Sequence, residues 1–200
     1  IEDTLCSLKF RISPNSFYQV NHDQAERLYK KAAEYANPEG KNLIDMYCGV
    51  GTVGLSMADK AKSIIGVEIV EKAVKDAAEN AKLNGINNAR FICGDASLAA
   101  EKLSGEGIKA DVVILDPPRK GCDGALIPVL CKRIKPERIV YISCNPATLA
   151  RDCAEFEKNG YIFKEATPFD LFPRTGHVET VALLESEKAA CDNPAEKREE

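Results

Sequence analysis

Two residues far apart in the sequence carry side chains suited to covalent catalysis. Cys144 follows the apolar run 138–143, and Glu179 opens an otherwise apolar run that continues to Leu184. A thiolate can add to an electron-poor carbon, and a carboxylate can then remove a proton so that the thiol leaves by elimination. Each residue also has a simpler interpretation, a buried thiol in a strand or an exposed acid at a strand end. We therefore treat Cys144 as a candidate nucleophile and Glu179 as a candidate base.

Three other polar residues are candidates for contacts with a substrate. Asp116 and Arg119 belong to the segment Asp-Pro-Pro-Arg, and His177 lies two residues before Glu179. A guanidinium is a natural partner for a phosphate or a carboxylate, although a loop arginine is often only a surface residue. A histidine titrates near neutrality, so His177 could replace Glu179 as the base. We predict Asp116, Arg119 and His177 as substrate-binding residues.

Short apolar runs must position these residues, because each candidate lies at the end of one. Short, β-branched, nearly all-apolar runs are typical of parallel strands that are buried on both faces. Five such runs occur, at 43–47, 63–68, 89–93, 111–115 and 138–143.

Helical patterns alternate with these runs. The segments 71–83 and 23–36 both have apolar residues at helical spacing, and Asn21 is placed to cap the second. Strands that alternate with helices predict an α/β fold with a doubly wound parallel sheet. The predicted apolar faces are Val74, Ala77, Ala78 and Ala81 in one helix and Ala25, Leu28, Ala32 and Tyr35 in the other.

The end of the chain departs from this alternation. The runs 161–169 and 177–185 are joined by a loop too short for a crossover helix, so they should pair antiparallel. A mostly parallel seven-stranded sheet that ends in an antiparallel hairpin is the pattern of the class I methyltransferases, a Rossmann-like fold. We expect a catalytic domain over 22–186, an extension or strand from a preceding domain over 1–21, and a solvated tail over 187–200.

A glycine-rich turn follows the first predicted strand. Gly49, Gly51 and Gly54 fit the spacing G-x-G-x-x-G, which lets the backbone turn tightly and approach a ligand. Glu68, at the end of the second strand, could accept hydrogen bonds from ribose hydroxyls. Dinucleotide-binding folds share this plan, so the pattern alone leaves NAD and S-adenosylmethionine open.

Acids after the third and fourth strands favour S-adenosylmethionine over NAD. Asp95 follows the third strand, where it could hold an adenine amino group, and Asp116 follows the fourth. The carboxyl ends of parallel strands share the edge of the sheet at which ligands bind. A dinucleotide site requires neither the Asp-Pro-Pro-Arg turn nor the terminal hairpin. We therefore predict S-adenosyl-L-methionine as the cofactor.

Composition limits the other possibilities. The 200 residues suffice for one domain, and the absence of a long apolar run excludes a membrane span within the sequence. The eight cysteines form no Cys-x-x-Cys pair and only two histidines are present, so we predict no metal site. Several cysteines fall in predicted core strands, which favours a reduced, cytoplasmic protein. The net charge of −4 is unusual for a protein that binds nucleic acid, and Ile1 suggests a piece of a longer protein.

Five segments together resemble the RNA (uracil-5-)-methyltransferase family, which forms 5-methyluridine in 23S rRNA and in tRNA. They occur in the order typical of that family and extend over almost the whole chain to about Glu185. The segments are Phe17-Tyr18-Gln19-Val20-Asn21, Asp45-Met46-Tyr47-Cys48-Gly49-Val50-Gly51-Thr52, Asp116-Pro117-Pro118-Arg119-Lys120-Gly121, Ser143-Cys144-Asn145-Pro146 and His177-Val178-Glu179-Thr180.

The resemblance implies a role for individual residues. It implies Cys144 as the nucleophile that adds to carbon 6 of uracil and Glu179 as the base that takes the carbon-5 proton. It also implies an S-adenosylmethionine site lined by Gln19, Tyr47, Thr52, Glu68, Asp95 and Asp116. Position 52 is often Asn in the family, and Thr keeps a polar group there.

The resemblance also implies partners and missing parts. RNA is the expected substrate, with 23S rRNA favoured over tRNA. Members of the family usually have an N-terminal RNA-binding barrel and a central domain, and some have a four-cysteine iron–sulfur cluster. None of these is found in the sequence, so we expect the RNA-binding domain to lie outside it.

Three alternatives remain open. Methylation of a base amino group also uses Asp-Pro-Pro turns but needs neither a thiolate nor a base, and it usually has an aromatic residue in place of Arg119. Cytosine-5 methylation uses a cysteine that more often follows a proline, unlike Cys144. The chain could also be a cofactor-binding or RNA-folding module that is inactive in isolation.

Overall fold

The computed structural model describes residues 2–13, 19 and 21–192, without the side chains of 191 and 192. In this part of the chain, two strands form an N-terminal hairpin and seven form one sheet. The strands are β1 (Glu2–Leu5), β2 (Leu8–Arg11), β3 (Asn42–Met46), β4 (Ser63–Glu68), β5 (Ala89–Cys93), β6 (Val112–Leu115), β7 (Arg138–Ser143), β8 (Tyr161–Phe169) and β9 (Glu179–Ser186).

Helices connect most of the strands of the sheet. The fifth helix continues as a π-helix over Leu130–Ile134. The helices are α1 (His22–Ala36), α2 (Thr52–Leu55), α3 (Glu71–Leu83), α4 (Ala96–Gly105), α5 (Leu126–Val129), α6 (Pro146–Lys158) and α7 (Glu187–Asp192). None of them is long and apolar enough to cross a membrane.

The sheet has the strand order β5-β4-β3-β6-β7-β9-β8. The first five of these strands pair in parallel, whereas β9 lies antiparallel between β7 and β8. The predicted α/β class and the seven-stranded sheet with its antiparallel C-terminal hairpin are therefore confirmed. The predicted strand bounds agree with the structure to within two residues, and the parallel strands β3, β4, β6 and β7 are almost wholly buried on both faces.

Side chains alternate between two hydrophobic cores along each strand of the sheet. One core lies under α4, α5 and α6, and the other lies under α1, α2 and the N-terminal hairpin. In β7, Ile139 and Tyr141 enter the first core, and Val140 and Ile142 enter the second. This alternation decides which strand-end residues share a face of the sheet.

The N-terminal hairpin packs on α3 through polar side chains. Phe10 is fully buried, and Asn80 and Asn84 on α3 bond to the backbone of Lys9 and Arg11. Helix α3 has its predicted bounds, but its buried face is rotated from the predicted one. Val74 and Ala78 are only half-buried, whereas Ala73, Asp76 and Asn80 are buried, and Asn80 bonds to both the hairpin and the glycine-rich turn.

Two local predictions of helix starts agree with the structure. Asn21 caps α1 by accepting a hydrogen bond from the Gln24 amide, and the face of α1 that carries Leu28 is buried as predicted. Pro146 takes the first position of α6 after the cap Asn145. At the C-terminus, α7 forms the first part of the expected tail, and residues 193–200 lie outside the described residues.

Candidate active site

Five chemically active side chains lie at one edge and on one face of the sheet. By strand alternation they belong to the face that packs on α1 and α2. Ser143 pairs with Thr180 in the register of β7 and β9, so Cys144 follows beside Glu179 although 35 positions separate them in the sequence. The five are Asp45, Glu68, Asp116, Cys144 and Glu179.

The predicted nucleophile and base influence each other's surroundings. Cys144 is half-buried, and its pKa is raised first by burial and then by the charges of Glu179 and Asp116, while Arg119 opposes the shift. Glu179 is buried, and burial raises the pKa of its carboxyl group while Arg119 again opposes the change. Arg119 is thus a cation within electrostatic reach of both. A carboxyl group with a raised pKa is a better proton acceptor, and a nearby cation favours the thiolate.

Two further carboxyl groups extend this cluster towards the glycine-rich turn. Burial raises the pKa of Asp116 to about 8, with smaller contributions from Glu179 and Asp45. Burial likewise raises the pKa of Asp45 to about 7, opposed by a hydrogen bond from Gly54 and reinforced by Glu68. Carboxyl groups buried close together without matching cations stabilise a positively charged ligand. This end of the site therefore suits a cation.

The glycine-rich turn adopts backbone conformations that favour glycine. Gly49 and Gly51 have φ angles of 54° and 87°. At Gly54, an added Cβ would lie 2.8 Å from Asp45 Oδ2, which accepts the Gly54 N–H at 2.9 Å. The helix that follows, α2, is a single turn. The turn thus presents its shape and backbone groups to a ligand, and the N-terminus of a long helix plays no part.

The carboxylate of Glu68 faces the same turn. Its two oxygens accept hydrogen bonds from the Gly49 amide at 3.1 Å and from the Val70 amide at 2.9 Å. The Val50 carbonyl in the turn accepts a hydrogen bond from Asn80 Nδ2 at 3.2 Å. Glu68 therefore lies where the sequence predicted it, at the strand end beside the glycines.

The other predicted cofactor residues differ in their surroundings. Gln19 is buried, and its Oε1 has no hydrogen-bond partner among the described residues. Tyr47 follows β3 with a φ of 64° and packs against the core beneath α4. The Thr52 hydroxyl lies 3.1 Å from the Tyr29 hydroxyl. Asp95 is exposed and caps α4 by accepting the amides of Ser97 and Leu98 through one oxygen.

Three residues of this region were not predicted as site residues from the sequence. Ile69 and Leu98 are 66% and 68% exposed, and they follow Glu68 and Asp95 respectively. Large apolar side chains so exposed beside predicted ligand-binding acids could cover an apolar ring. Asp45 Oδ1 is buried without a partner. An acid inside the apolar run 43–47 was a signal for Asp45, whereas nothing in the sequence distinguishes Ile69 or Leu98 from core residues.

The predicted substrate contacts are brought together only in part. Arg119 is exposed, and its carbonyl accepts hydrogen bonds from the Thr148 hydroxyl at 3.3 Å and Asn145 Nδ2 at 3.4 Å. His177 is also exposed, and its ring packs edge-on against Phe172 with centroids 6.4 Å apart. The groups that act on the Cys144 thiol are Glu179, Asp116 and Arg119. The geometry therefore favours Glu179 over His177 as the base.

Comparison with known proteins places this site in a family. The family model for tRNA (uracil-5-)-methyltransferases matches residues 4–187. The chain belongs to this family. The match includes the glycine-rich turn, the Asp-Pro-Pro-Arg segment, Cys144 and Glu179.

Individual relatives agree with this assignment. An uncharacterized RNA methyltransferase of Enterococcus faecalis is 54% identical over 185 residues, and one of Halalkalibacterium halodurans is 50% identical over 186. Each alignment covers 92% of the chain but 40% of the relative. The chain therefore spans about two fifths of the length of these curated relatives.

Solved structures show the same fold. The Pyrococcus abyssi tRNA (uracil-54, C5)-methyltransferase, in complex with S-adenosyl-L-homocysteine, is 36% identical with a TM-score of 0.79 over 92% of this chain and 44% of its own. A SAM-dependent methyltransferase from Agrobacterium tumefaciens is 16% identical with a TM-score of 0.70, over 92% of this chain and 69% of its own. At that identity the second likeness concerns the fold alone.

Proposed function

We propose that the protein containing this chain methylates carbon 5 of uridine in RNA, either 23S rRNA or tRNA, with S-adenosyl-L-methionine as methyl donor. The observation that carries the proposal is the meeting of Cys144 and Glu179 at the strand edge, beside the glycine-rich turn. Amino-group methylation needs neither side chain. Membership of the uracil-5 family favours uridine over cytosine.

The residues of the strand edge fit S-adenosylmethionine. The buried carboxyl group of Asp45 and the half-buried one of Asp116 match a sulfonium and an ammonium group, and Glu68 matches ribose hydroxyls. The unpartnered Gln19 Oε1 and the exposed Ile69 and Leu98 leave a polar acceptor and an apolar surface for the rest of the molecule. When bound, the cofactor supplies an electrophilic methyl group.

The chain's own residues perform the remaining steps. The Cys144 thiolate adds to carbon 6 of uracil, and the electron pair of the 5,6 double bond moves into an enolate that makes carbon 5 nucleophilic. After carbon 5 has gained the methyl group, Glu179 removes the proton that remains there. The electron pair of that C–H bond re-forms the double bond, and the carbon–sulfur bond breaks to return the thiolate.

Arg119 assists both charged groups of this sequence. It opposes the rise in the pKa of Cys144 that burial and the neighbouring carboxylates cause. It also opposes the rise in the pKa of Glu179 and so favours the ionised form of that carboxyl group, which is the form that accepts a proton. Its exposed guanidinium is in addition suited to a phosphate of the RNA.

We further propose that the remaining length of the protein supplies most of the RNA-binding surface. The chain carries 27 basic and 31 acidic residues, and affinity for RNA depends on Lys and Arg contacts to phosphates. A cytoplasmic location agrees with the free thiols of the seven cysteines whose side chains are described.

A covalent trap tests the proposed nucleophile. In RNA that contains 5-fluorouridine, fluorine replaces the carbon-5 hydrogen that the base must remove. Elimination is therefore blocked after methyl transfer. Incubation with S-adenosylmethionine should yield a protein–RNA adduct whose mass includes one methyl group, detected by mass spectrometry. Cys144→Ala should abolish the adduct, and Cys6→Ala, which removes a half-buried thiol in the N-terminal hairpin, should retain it. An adduct that persists in Cys144→Ala contradicts the assignment of the nucleophile.

A further inference from the structure

One face of helix α6 holds the loop that carries Arg119. Asn145 and Thr148 donate hydrogen bonds to the Arg119 carbonyl, and Arg151 Nη2 donates to the Lys120 carbonyl at 2.8 Å. The Cys122 amide donates to Asp152 Oδ2 at 2.8 Å. The side chains that contact the loop come from the same face of α6 and its cap, and they form a row at helical spacing. They are Asn145, Thr148, Arg151 and Asp152.

The same helix begins immediately after Cys144. Asn145 is its N-cap and accepts a hydrogen bond from the Ala147 amide at 3.0 Å. The nucleophile is therefore fixed to the first turn of α6, while Arg119 is fixed to its side chains. The distance between Cys144 and the Arg119 loop therefore depends on helix α6.

Asp152 is the most buried polar group of this row. It is 3% exposed, and its Oδ2 accepts hydrogen bonds from both the Cys122 amide and the Tyr141 hydroxyl, the latter at 2.6 Å. Its Oδ1 accepts Nε and Nη2 of Arg151 at 2.9 Å and 2.7 Å. Asp152 thus joins the loop, α6 and β7, and the proposed chemistry uses none of its atoms.

The loop approaches this carboxylate so closely that only a glycine fits at the contact. Gly121 has a φ of 81°, and an added Cβ would lie 2.5 Å from Asp152 Oδ2 and 2.4 Å from Arg151 Nη2. The Gly121 amide closes a turn onto the Pro118 carbonyl at 2.8 Å. The loop therefore cannot shift towards α6, and the Cys122 hydrogen bond prevents it from moving away.

We propose that Asp152 is a positioning residue that acts through Arg119: by holding the Arg119 loop against α6, it keeps the guanidinium close enough to Cys144 to favour the thiolate. The proposal deepens the proposed function, on which the role of Cys144 rests. Three charged groups face the thiol, namely Glu179 and Asp116, which disfavour its ionisation, and Arg119, which favours it. Displacement of Arg119 leaves the two carboxylates unopposed.

The rate of alkylation of Cys144 by iodoacetamide, followed by peptide mass spectrometry across pH, tests this proposal on the chain itself. The thiolate is the reactive form, so the midpoint of the rate profile reports its ionisation. We expect Asp152→Asn to raise the Cys144 midpoint by about 0.5 to 1 pH unit, which slows alkylation at neutral pH by about 3- to 10-fold. Asparagine has a single acceptor oxygen, so it cannot accept the Cys122 and Tyr141 donors at one position and the two Arg151 donors at the other. The profile of Cys93, remote from the loop, should be identical in all variants.

Two comparisons separate positioning from a general structural effect. Arg119→Gln should raise the Cys144 midpoint as much as Asp152→Asn does, and the double variant should raise it no further. Tyr141→Phe removes one donor to Asp152 but leaves the Cys122 hydrogen bond, so we expect little shift. An unchanged midpoint in either Asp152→Asn or Arg119→Gln, or an additive shift in the double variant, overturns the proposal.

A milder variant keeps the test decisive if Asp152→Asn does not fold. Thr148→Val removes one hydrogen bond to the Arg119 carbonyl without changing charge, and it should raise the midpoint in the same direction by a smaller amount. No shift in this variant then overturns the proposal. Alkylation requires neither RNA nor cofactor, so its outcome is independent of the 5-fluorouridine trap that tests the proposed function.

Discussion

At the scale of single residues, the site consists of acids that burial has made weak. Asp45, Asp116 and Glu179 all have raised pKa values, and burial is the largest cause for each. Arg119 is the cation that opposes this trend at Glu179. With pKa values of about 7 and about 8, Asp45 and Asp116 are carboxyl groups whose protons a cationic ligand can displace.

Substitution of the proposed base should separate the two halves of the reaction. In Glu179→Gln, addition and methyl transfer still occur, but the carbon-5 proton has no acceptor and elimination stalls. We expect a methylated adduct with ordinary uridine RNA to accumulate and turnover to fall by about 10²- to 10⁴-fold. Intact-protein mass spectrometry measures the adduct. Glu165→Gln, at an exposed position of β8, serves as the control, and normal turnover in Glu179→Gln would reassign the base.

The pKa of Asp116 predicts how cofactor affinity depends on pH. Its carboxyl group is neutral below its raised pKa of about 8, and only the ionised form attracts a sulfonium. Affinity for S-adenosylmethionine should therefore rise as pH increases from 6.5 to 9, with release of protons. The uncharged thioether of S-adenosylhomocysteine should show a weaker dependence. Calorimetry in buffers of different ionisation enthalpy measures both, and equal pH profiles for the two ligands would contradict the prediction.

The raised pKa of Asp116 also affects the stability of the ligand-free chain, which should fall as pH rises. A carboxyl group whose pKa is raised by folding ionises first in the unfolded chain, so the unfolded state gains relative stability as pH rises. The loss begins near pH 4, the ordinary range for Asp, and continues to about pH 8. Asp116→Asn should remove this contribution.

At the scale of elements, the side chains of α3 replace a strand as partner of the N-terminal hairpin. Asn80 accepts the Arg11 amide at 2.7 Å and donates to the carbonyls of Arg11 and Val50. One buried amide thus links the hairpin to the glycine-rich turn. Asn84, one helical turn further, bonds to Lys9 but does not touch the turn.

This difference makes Asn80 and Asn84 a matched pair of test positions. Asn80→Ala leaves buried donors and acceptors without partners, so we expect a loss of about 2 to 4 kcal/mol in the free energy of unfolding and weaker cofactor binding. Asn84 is partly exposed and water can replace its bonds, so Asn84→Ala should cost less than about 1 kcal/mol. Denaturant titration and calorimetry measure these effects. Equal losses in the two variants would contradict the proposed link.

The sequence was sufficient for elements whose signals are local. The runs that form β4, β5 and β7 have the predicted bounds, and β4 and β7 are buried on both faces of the sheet, whereas β5 at its edge is partly exposed. The hairpin β1–β2 was missed because its turn is formed by Cys6 and Ser7 at φ angles of 51° and 65°, where Asn-Gly is the usual signal. The rotated face of α3 could not be predicted either, because Asn80 is held inward by hydrogen bonds to Arg11 and Val50, which are distant in the sequence.

The same limit applied to the site. Cys144 and Glu179 were identified because each lies at the end of an apolar run, and the antiparallel return of the last strand predicted that they meet. The proposed role of Asp152 could not be predicted from the sequence, because it depends on a hydrogen bond from the Cys122 amide, 30 positions earlier. Residue type and spacing locate the ends of strands, but they do not show which backbone groups a side chain contacts in space.

At the scale of the whole molecule, the two faces of the sheet have different tasks. The face beneath α4, α5 and α6 contributes mainly core packing, whereas the face beneath α1 and α2 ends in the cluster of acids and the thiol. The hairpin covers this second face. The net charge of −4 belongs to a chain whose curated relatives are more than twice as long.

The chain alone should therefore bind the cofactor, but it should react with RNA more slowly than the full-length protein does. At a cofactor concentration of about 100 Kd, binding adds about 2.7 kcal/mol, which raises the Tm of a domain of this size by about 5 to 10 °C. Adduct formation with 5-fluorouridine RNA should be at least about tenfold slower than in the full-length protein, because most phosphate contacts are missing. Thermal melting and gel assays measure these two effects. Equal rates for both proteins would show that the chain binds RNA unaided.

The position of β9 has a consequence for synthesis on the ribosome. This strand is made last of the seven, yet it lies between β7 and β8, so an emerging polypeptide displays two strand edges that cannot join until translation reaches Glu179 and beyond. Cys144 is synthesised 35 positions before Glu179. A nascent or prematurely terminated product thus carries the proposed nucleophile without the proposed base, and the two come together only when β9 completes the sheet.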